Sequence, residues 1–252
     1  MSHIWTACQG ETHIRPVQGV LYRLVENQEQ AATLGYVDTL EEQAVLETLL
    51  ETSKPVYPEA VADALHYLLK TPFRYPPLLW GSRFGRVHEP SLFYGGRSIK
   101  AMLSEAAYYR FVFLRSMSGP LPSARLNTEH TVFSVSYQTT KGVQLQQPPF
   151  DQFTPDLTHP AIYAPAQDLG AAMRAAGVEA FEYFSARCAE PELCGALFTP
   201  AALSCQEPLS RQHWFCELTE DQVSFKALGA PAVYSFPLAD FQVEGVFPTP
   251  AS

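Results

Sequence analysis

The spacing of apolar and polar positions predicts two helices in the first third of the chain. A capping-box pattern at Thr39-x-x-Glu42 is followed by an apolar stripe, which is typical of a helix start. The stripe consists of Val45, Leu46, Leu49 and Leu50. Pro58 is suited to open a second helix, because its missing N–H and fixed φ fit the first helical position. Thr71-Pro72 ends this second helix.

A longer helix is predicted directly after Gly95-Gly96, where apolar positions recur at helical spacing. These positions are Ile99, Met102, Ala106, Tyr109 and Phe113. Glu105 lies about 100° from the middle of the stripe, on its flank. Its carboxylate is therefore expected at the boundary between a buried face and a cleft. Another helix is predicted from Pro165 to Ala176, with Gly177 past its end.

The remaining apolar segments predict strands, and residues typical of turns separate some of them. Strands are predicted at Val20–Val25, Thr131–Gln138, Val143–Gln146, Phe181–Ser185 and Ala196–Phe198. Lys141-Gly142 predicts a turn between two of them, and Trp214–Leu218 with Val223–Leu228 predicts a hairpin. The proline-rich segment 148–165 predicts a long ordered loop that could serve as a lid. Clustered strands with interspersed helices and no βαβ alternation indicate an α+β fold.

Composition narrows the class of protein. At 252 residues the chain could form one large domain or two small ones, and 46% hydrophobic residues are ample for a core. A net charge of −9 argues against direct binding of nucleic acid or an anionic membrane. No apolar run is long enough to span a bilayer, and the first residues do not form a signal peptide. Five cysteines without paired spacing indicate reduced thiols in a cytoplasmic protein and no metal site.

The segment from Thr71 to Arg110 carries the strongest indication of a binding site. Its first part is rich in arginines interleaved with aromatic residues, in a chain that is acidic overall; these arginines are Arg74, Arg83, Arg86 and Arg97. Together with Glu105 they suggest a site for an anionic ligand that contains rings. Surface stacking pairs and a solvated helix edge would give the same pattern. The histidines are scattered, so a hydrolytic triad is not expected, and His88 is interpreted as a loop residue.

Three stretches of sequence resemble the RES domain family. GSRFG, SLFYGG and LSEAAYYR form the first, LYRLV the second, and PAIYAPAQDLGAAMRAAGVEAFEYFSARCAEPELCGALF, from Pro160 to Phe198, the third. Together these stretches cover most of residues 18–203, the core of the resemblance. It implies a single RES domain over residues 1–252, with a helical insertion at 39–69 and a C-terminal hairpin and tail at 210–252. It also implies a fold similar to the ADP-ribosyltransferase toxin core, a small split β-sheet with surrounding helices around a nicotinamide cleft.

The resemblance also implies a function and a set of residues. Members of the family are toxins of Xre/RES toxin–antitoxin systems that degrade NAD, so NAD is the expected substrate and an Xre-type antitoxin the expected partner. Any DNA contact would belong to that partner, and homodimerisation stays open. Glu105 and Arg83 are the expected catalytic residues. The residues expected to bind NAD are Arg23, Arg83, Tyr94, Ser185 and Arg187. Phe184 stands where many relatives have proline.

Cleavage of the nicotinamide–ribose bond builds positive charge on the ribose carbon, which a carboxylate stabilises. Arginines can hold two phosphate oxygens of the pyrophosphate at once. Water or inorganic phosphate is the expected acceptor. Two alternatives remain: an ADP-ribosyltransferase that modifies a protein, and a non-catalytic module that binds a nucleotide or an antitoxin.

Overall fold

The computed structural model describes residues 2–27, 36–58, 61, 64–119 and 124–249. In this part of the chain eight strands form one sheet with helices around it, so the α+β class is confirmed. The strands are β1 Arg15–Glu26, β2 Phe93–Gly96, β3 Leu126–Gln144, β4 Ala180–Phe184, β5 Leu193–Leu197, β6 Ser210–Leu218, β7 Gln222–Ala227 and β8 Val233–Pro237. The helices are α1 His3–Ala7, α2 Leu40–Ser53, α3 Tyr67–Lys70, α4 Ile99–Ser116, α5 Thr154–Leu157 and α6 Ala164–Ala175.

The sheet is partly closed on itself. Its order is β1-β2-β5-β4-β3-β6-β7-β8, and β1 also pairs with β3 along most of its length. The long strand β3 therefore has β1 on one side, while its other side is divided between β6 at residues 126–134 and β4 at residues 142–144. The strands β1 to β5 form a ring, and β6, β7 and β8 extend from it. The predicted hairpin is confirmed as β6 and β7.

The turn predicted at Lys141-Gly142 is wrong, because β3 continues through both residues. A Cβ atom on Gly142 would lie 2.1 Å from a methyl carbon of Val17 on β1. The glycine therefore allows two strands to approach closely and does not reverse the chain. It also lies where β3 meets β1 and β4 at once, pairing with Arg15 and Ala180.

The helix predicted from the capping box is confirmed as α2, with Thr39 Oγ1 accepting a hydrogen bond of 3.1 Å from the Glu42 N–H. The helix predicted from Pro58 is wrong. The described residues between Pro58 and His66 are in bends and turns, and α3 is the only helix among the described residues from Pro58 to Thr71. Val61, Leu65 and residues of α3 contact a core formed with β1 and β3, so burial rather than helical periodicity accounts for their apolar character.

The predicted apolar stripe of α4 is only partly correct. The buried face includes Ala101, Ala107, Tyr108 and Phe111, whereas Tyr109 is 39% exposed and Phe113 46% exposed. Apolar residues occur on most sides of this helix, so their spacing did not identify the side that meets the core.

The predicted helix after Pro165 is confirmed as α6, and it packs unusually close to the segment before β2. A Cβ atom on Gly170 would lie 1.9 Å from the carbonyl oxygen of Phe84. Gln167 donates hydrogen bonds to the carbonyls of Trp80 and Ser82 at 3.1 and 3.0 Å. Through these contacts α6 fixes the backbone on both sides of Arg83. No helix in the described part of the chain is both long and apolar enough to cross a membrane.

Candidate functional site

A cavity of about 440 Å³ lies beside α4, between β1, β2 and residues 71–83. Among the described residues of its wall are six tyrosines, namely Tyr22, Tyr75, Tyr94, Tyr109, Tyr163 and Tyr183. Arg23, Arg83, Glu105 and Arg187 also line it. A concave site with aromatic walls and a few converging charged groups is typical of a small-molecule site.

Glu105 projects from α4 into this cavity, and Ser185 holds it. The Ser185 hydroxyl donates a hydrogen bond of 2.5 Å to Glu105 Oε1 and accepts one of 3.1 Å from the Arg187 N–H. Ser185 follows β4 directly, so the end of a strand fixes the position of the hydroxyl. Within the described residues, Glu105 Oε2 has no protein donor. One carboxylate oxygen is thus fixed and the other is available to a ligand.

Arg83 and Arg187 are both 7% exposed, and backbone carbonyls at the end of α5 and just after it accept hydrogen bonds from them. Arg83 Nη1 donates to the carbonyls of Leu157 and His159 at 3.2 and 2.9 Å. Arg187 Nη2 donates to the Pro160 carbonyl at 3.0 Å. The proline-rich segment predicted as a loop contains two short helical turns. Through its backbone carbonyls it also binds both arginines. The structure places these two predicted residues in one site.

Tyr163 connects the two arginines and was not predicted as a site residue. Its ring lies under the Arg83 guanidinium, 4.6 Å from the carbon Cζ, and its hydroxyl accepts a hydrogen bond of 2.8 Å from Arg187 Nη2. Tyr108 of α4 stacks on Arg187, with Cζ 3.4 Å from the ring centroid. Tyr163 lies in PAIYAPAQ and Tyr108 in LSEAAYYR. Their position in these family-like stretches was the sequence signal that could have identified them as site residues.

Arg23 and Tyr94 occupy the opposite wall. Arg23 Nη1 donates a hydrogen bond of 3.0 Å to the Tyr94 carbonyl, and burial lowers the pKa of Arg23 to about 10. The Tyr94 hydroxyl contacts the Ser82 hydroxyl at 2.9 Å and accepts a hydrogen bond of 3.1 Å from the Phe84 N–H. Burial raises the pKa of Tyr94 to about 12, so this hydroxyl is neutral. Tyr94 therefore holds the segment that carries Arg83.

The other arginines of the sequence segment 71–110 have carboxylate partners. Arg74 pairs with Glu51, Arg86 with Asp168, Arg97 with Glu182 and Arg110 with Glu26. In the described part of the chain, no carboxylate forms a salt bridge with Arg23, Arg83 or Arg187. An uncompensated buried cation is costly, and carbonyl groups and aromatic rings offset only part of that cost. The cavity therefore presents three cations to an anionic ligand.

Nucleophilic catalysis by a thiol or an activated serine finds no support in this geometry. Burial raises the pKa of Cys194, which lines the cavity, and the pKa of Cys188, so both thiols are neutral. No histidine is among the described residues of the cavity wall. The Ser185 hydroxyl donates to the Glu105 carboxylate and fixes its orientation, which suits a positioning role. No cluster of three or more His, Cys, Asp or Glu side chains that could hold a metal ion occurs among the described residues.

Comparison with known proteins shows similarity to one protein family and to solved structures. A family model described as RES domain matches residues 58–219. Among solved structures, a chain in the crystal structure of the M. tuberculosis MbcT–MbcA toxin–antitoxin complex is similar, with a TM-score of 0.47 and 10% sequence identity. That similarity covers 86% of this chain and 92% of the other. A search of curated proteins found no match.

Proposed function

The chain belongs to the RES domain family, and we propose that it is a toxin-like enzyme that cleaves the nicotinamide–ribose bond of NAD. The observation that carries the proposal is the cavity, in which Glu105 faces three arginines that lack carboxylate partners among the described residues. NAD combines two phosphate anions, two sugars and two rings in one molecule. The arginines are suited to the phosphates, the carboxylate to a sugar and the tyrosine walls to the rings.

Arg83 and Arg187 are proposed to bind the pyrophosphate. Their guanidinium planes are held by Tyr163 and Tyr108, and backbone carbonyls accept only some of their N–H groups. The remaining N–H groups can donate to phosphate oxygens in the two-pronged geometry that arginine offers. Arg23 adds a third positive charge on the opposite wall.

Glu105 is proposed to act at the ribose next to nicotinamide. When the glycosidic bond breaks, its electron pair moves to the nicotinamide nitrogen and positive charge develops on the ribose carbon. The free oxygen of Glu105 would stabilise that charge and accept a hydrogen bond from a ribose hydroxyl. Because Ser185 fixes the other oxygen at 2.5 Å, the carboxylate needs little reorganisation when the charge develops. Ser185 is therefore a positioning residue.

The acceptor of the ADP-ribosyl group is proposed to be water or inorganic phosphate. Water would give ADP-ribose, nicotinamide and a proton, and phosphate would give an ADP-ribose phosphate ester and nicotinamide. Incubation of the purified protein with NAD, with and without phosphate, followed by mass analysis of the products, tests the proposal. Glu105→Gln serves as the inactive control. Release of nicotinamide by the wild type and not by this variant is the expected result.

Other outcomes of the same assay support the alternatives. Saturable NAD binding without turnover would indicate a binding module, and turnover only after addition of a protein acceptor would indicate an ADP-ribosyltransferase. We also propose an Xre-type antitoxin as the partner, in keeping with family membership. An antitoxin that fills the cavity with a carboxylate would compete with NAD for the same arginines, so a higher NAD concentration should relieve its inhibition.

A further inference from the structure

Helix α2 contacts the rest of the protein through polar residues and exposes apolar residues to solvent. On the inward side, Gln43 is 6% exposed and donates a hydrogen bond of 2.8 Å to Glu47. Glu51, one helical turn after Glu47, accepts a hydrogen bond of 2.6 Å from Arg74 Nη1. On the outward side, Val45 and Leu49 are each 60% exposed. A surface helix in a globular protein normally has the opposite orientation.

Local signals hold α2 in a helical conformation. The Glu42 carboxylate accepts a hydrogen bond of 2.9 Å from the Asp38 N–H, which completes the capping box with Thr39. At the other end, Arg74 donates to the Pro55 carbonyl as well as to Glu51. None of the described hydrophobic clusters includes an apolar residue of α2. A helix of 14 residues is marginal by itself, so its apolar side is suited to a partner.

The outward side of α2 forms a groove with the residues just before the helix. The groove has a volume of about 420 Å³, and its apolar lining consists of Tyr36, Val37, Val45, Leu46 and Leu49. Glu41 and Glu42 supply negative charge at the rim. A second copy of the chain would bring the same carboxylates together between two molecules of net charge −9. The charge therefore favours a basic partner over self-association.

We propose that this groove binds an amphipathic helix of a partner protein, with leucine-sized side chains on one face and lysine or arginine beside them. A short apolar groove of this kind accepts side chains spaced three and four residues apart on a helix. The inference does not depend on the proposed reaction. Arg74, which holds the end of α2, lies between Pro72 and Tyr75, and both of these line the cavity. A partner on α2 would thus be next to the wall of the site.

A fluorescent helical peptide made only of leucine and lysine is a suitable probe, and its binding is followed by fluorescence anisotropy. We expect saturable binding that weakens about tenfold or more in the double variant Val45→Ser/Leu49→Ser, because two apolar contacts are lost. Leu228→Ser is the matched control, since Leu228 is 58% exposed in the turn between β7 and β8 and lies outside the groove. This control should bind the peptide like the wild type. Circular dichroism checks that α2 is retained in each variant.

A second peptide, in which glutamate replaces every lysine, tests the charge. We expect it to bind at least tenfold more weakly than the lysine peptide at low salt, with the difference shrinking as salt is added. Equal affinity of the two peptides, or equal affinity of wild type and double variant, would overturn the proposal. Sedimentation gives a third readout. A wild-type dimer that becomes a monomer in Val45→Ser/Leu49→Ser would assign the groove to a second copy and refute the partner helix.

Discussion

Replacement of Ser185 by alanine tests whether this residue acts through Glu105. The hydrogen bond of 2.5 Å between them has a charged acceptor, and such bonds contribute about 1.5–3 kcal/mol. If that interaction is fully used in the transition state, kcat for NAD cleavage should fall by a factor of about 10 to 150. KM should change little, because the arginines that bind the pyrophosphate remain. The Arg187 N–H also loses its acceptor, so thermal unfolding must be measured and activity assayed well below the transition.

A double-mutant cycle separates positioning from a direct role. Glu105→Gln should reduce kcat by about 10²–10³, since it removes one preorganised charge. Adding Ser185→Ala to Glu105→Gln should then have little further effect, because residues that act as a unit are not additive. Ser116→Ala is a control, because within the described residues its hydroxyl donates only to the Phe113 carbonyl at the end of α4. Rates are measured as nicotinamide release at saturating NAD. Fully additive losses in the double variant would refute the positioning role.

Three further predictions concern binding and stability. Arg83→Lys should raise KM for NAD about tenfold while Arg86→Lys leaves it unchanged, because Arg86 already pairs with Asp168 and lysine cannot hold two phosphate oxygens; steady-state kinetics measures both. Gly170→Ala should destabilise the protein by about 1–3 kcal/mol in a denaturant titration, since its methyl group would collide with the Phe84 carbonyl. Burial lowers the pKa of His130 to about 4, so the folded state holds this ring neutral while the unfolded state takes up a proton below about 6.5. Stability should therefore fall by about 2 kcal/mol from pH 7 to pH 5, and His130→Gln should lose that part of the pH dependence in urea titrations at both values.

Sequence patterns correctly predicted the elements that are determined by residues close to one another in the chain. The capping box at Thr39 and Glu42 placed α2, and the neighbouring segments Trp214–Leu218 and Val223–Leu228 placed the hairpin of β6 and β7. The Gly142 prediction failed because its reason lies on another strand, where Val17 occupies the space of a side chain. No pattern within residues 131–146 contains that information.

The same distinction holds for the site. The apolar positions of α4 were visible, but only the fold determines that Tyr109 faces the cavity and Tyr108 the core. The family resemblance identified Arg83 and Arg187 as candidate residues, and in the structure both contact Tyr163. Tyr163 was not predicted because its partners, Arg83 and Arg187, are distant in sequence. The path of residues 154–163 determines that Tyr163 contacts them.

The pairing of β1 with β3 has a consequence for synthesis of the protein. Arg15 pairs with Gly142, 127 residues further along the chain, so the N-terminal strand must wait until the ribosome has made this partner. Arg187 and the strand that carries Ser185 emerge later still. At about 5–20 residues per second, the nascent chain spends several seconds without a complete set of arginines around Glu105. Under the proposed function, a growing chain would therefore lack activity until Arg187 has left the ribosome, which leaves time for the proposed antitoxin to be present first.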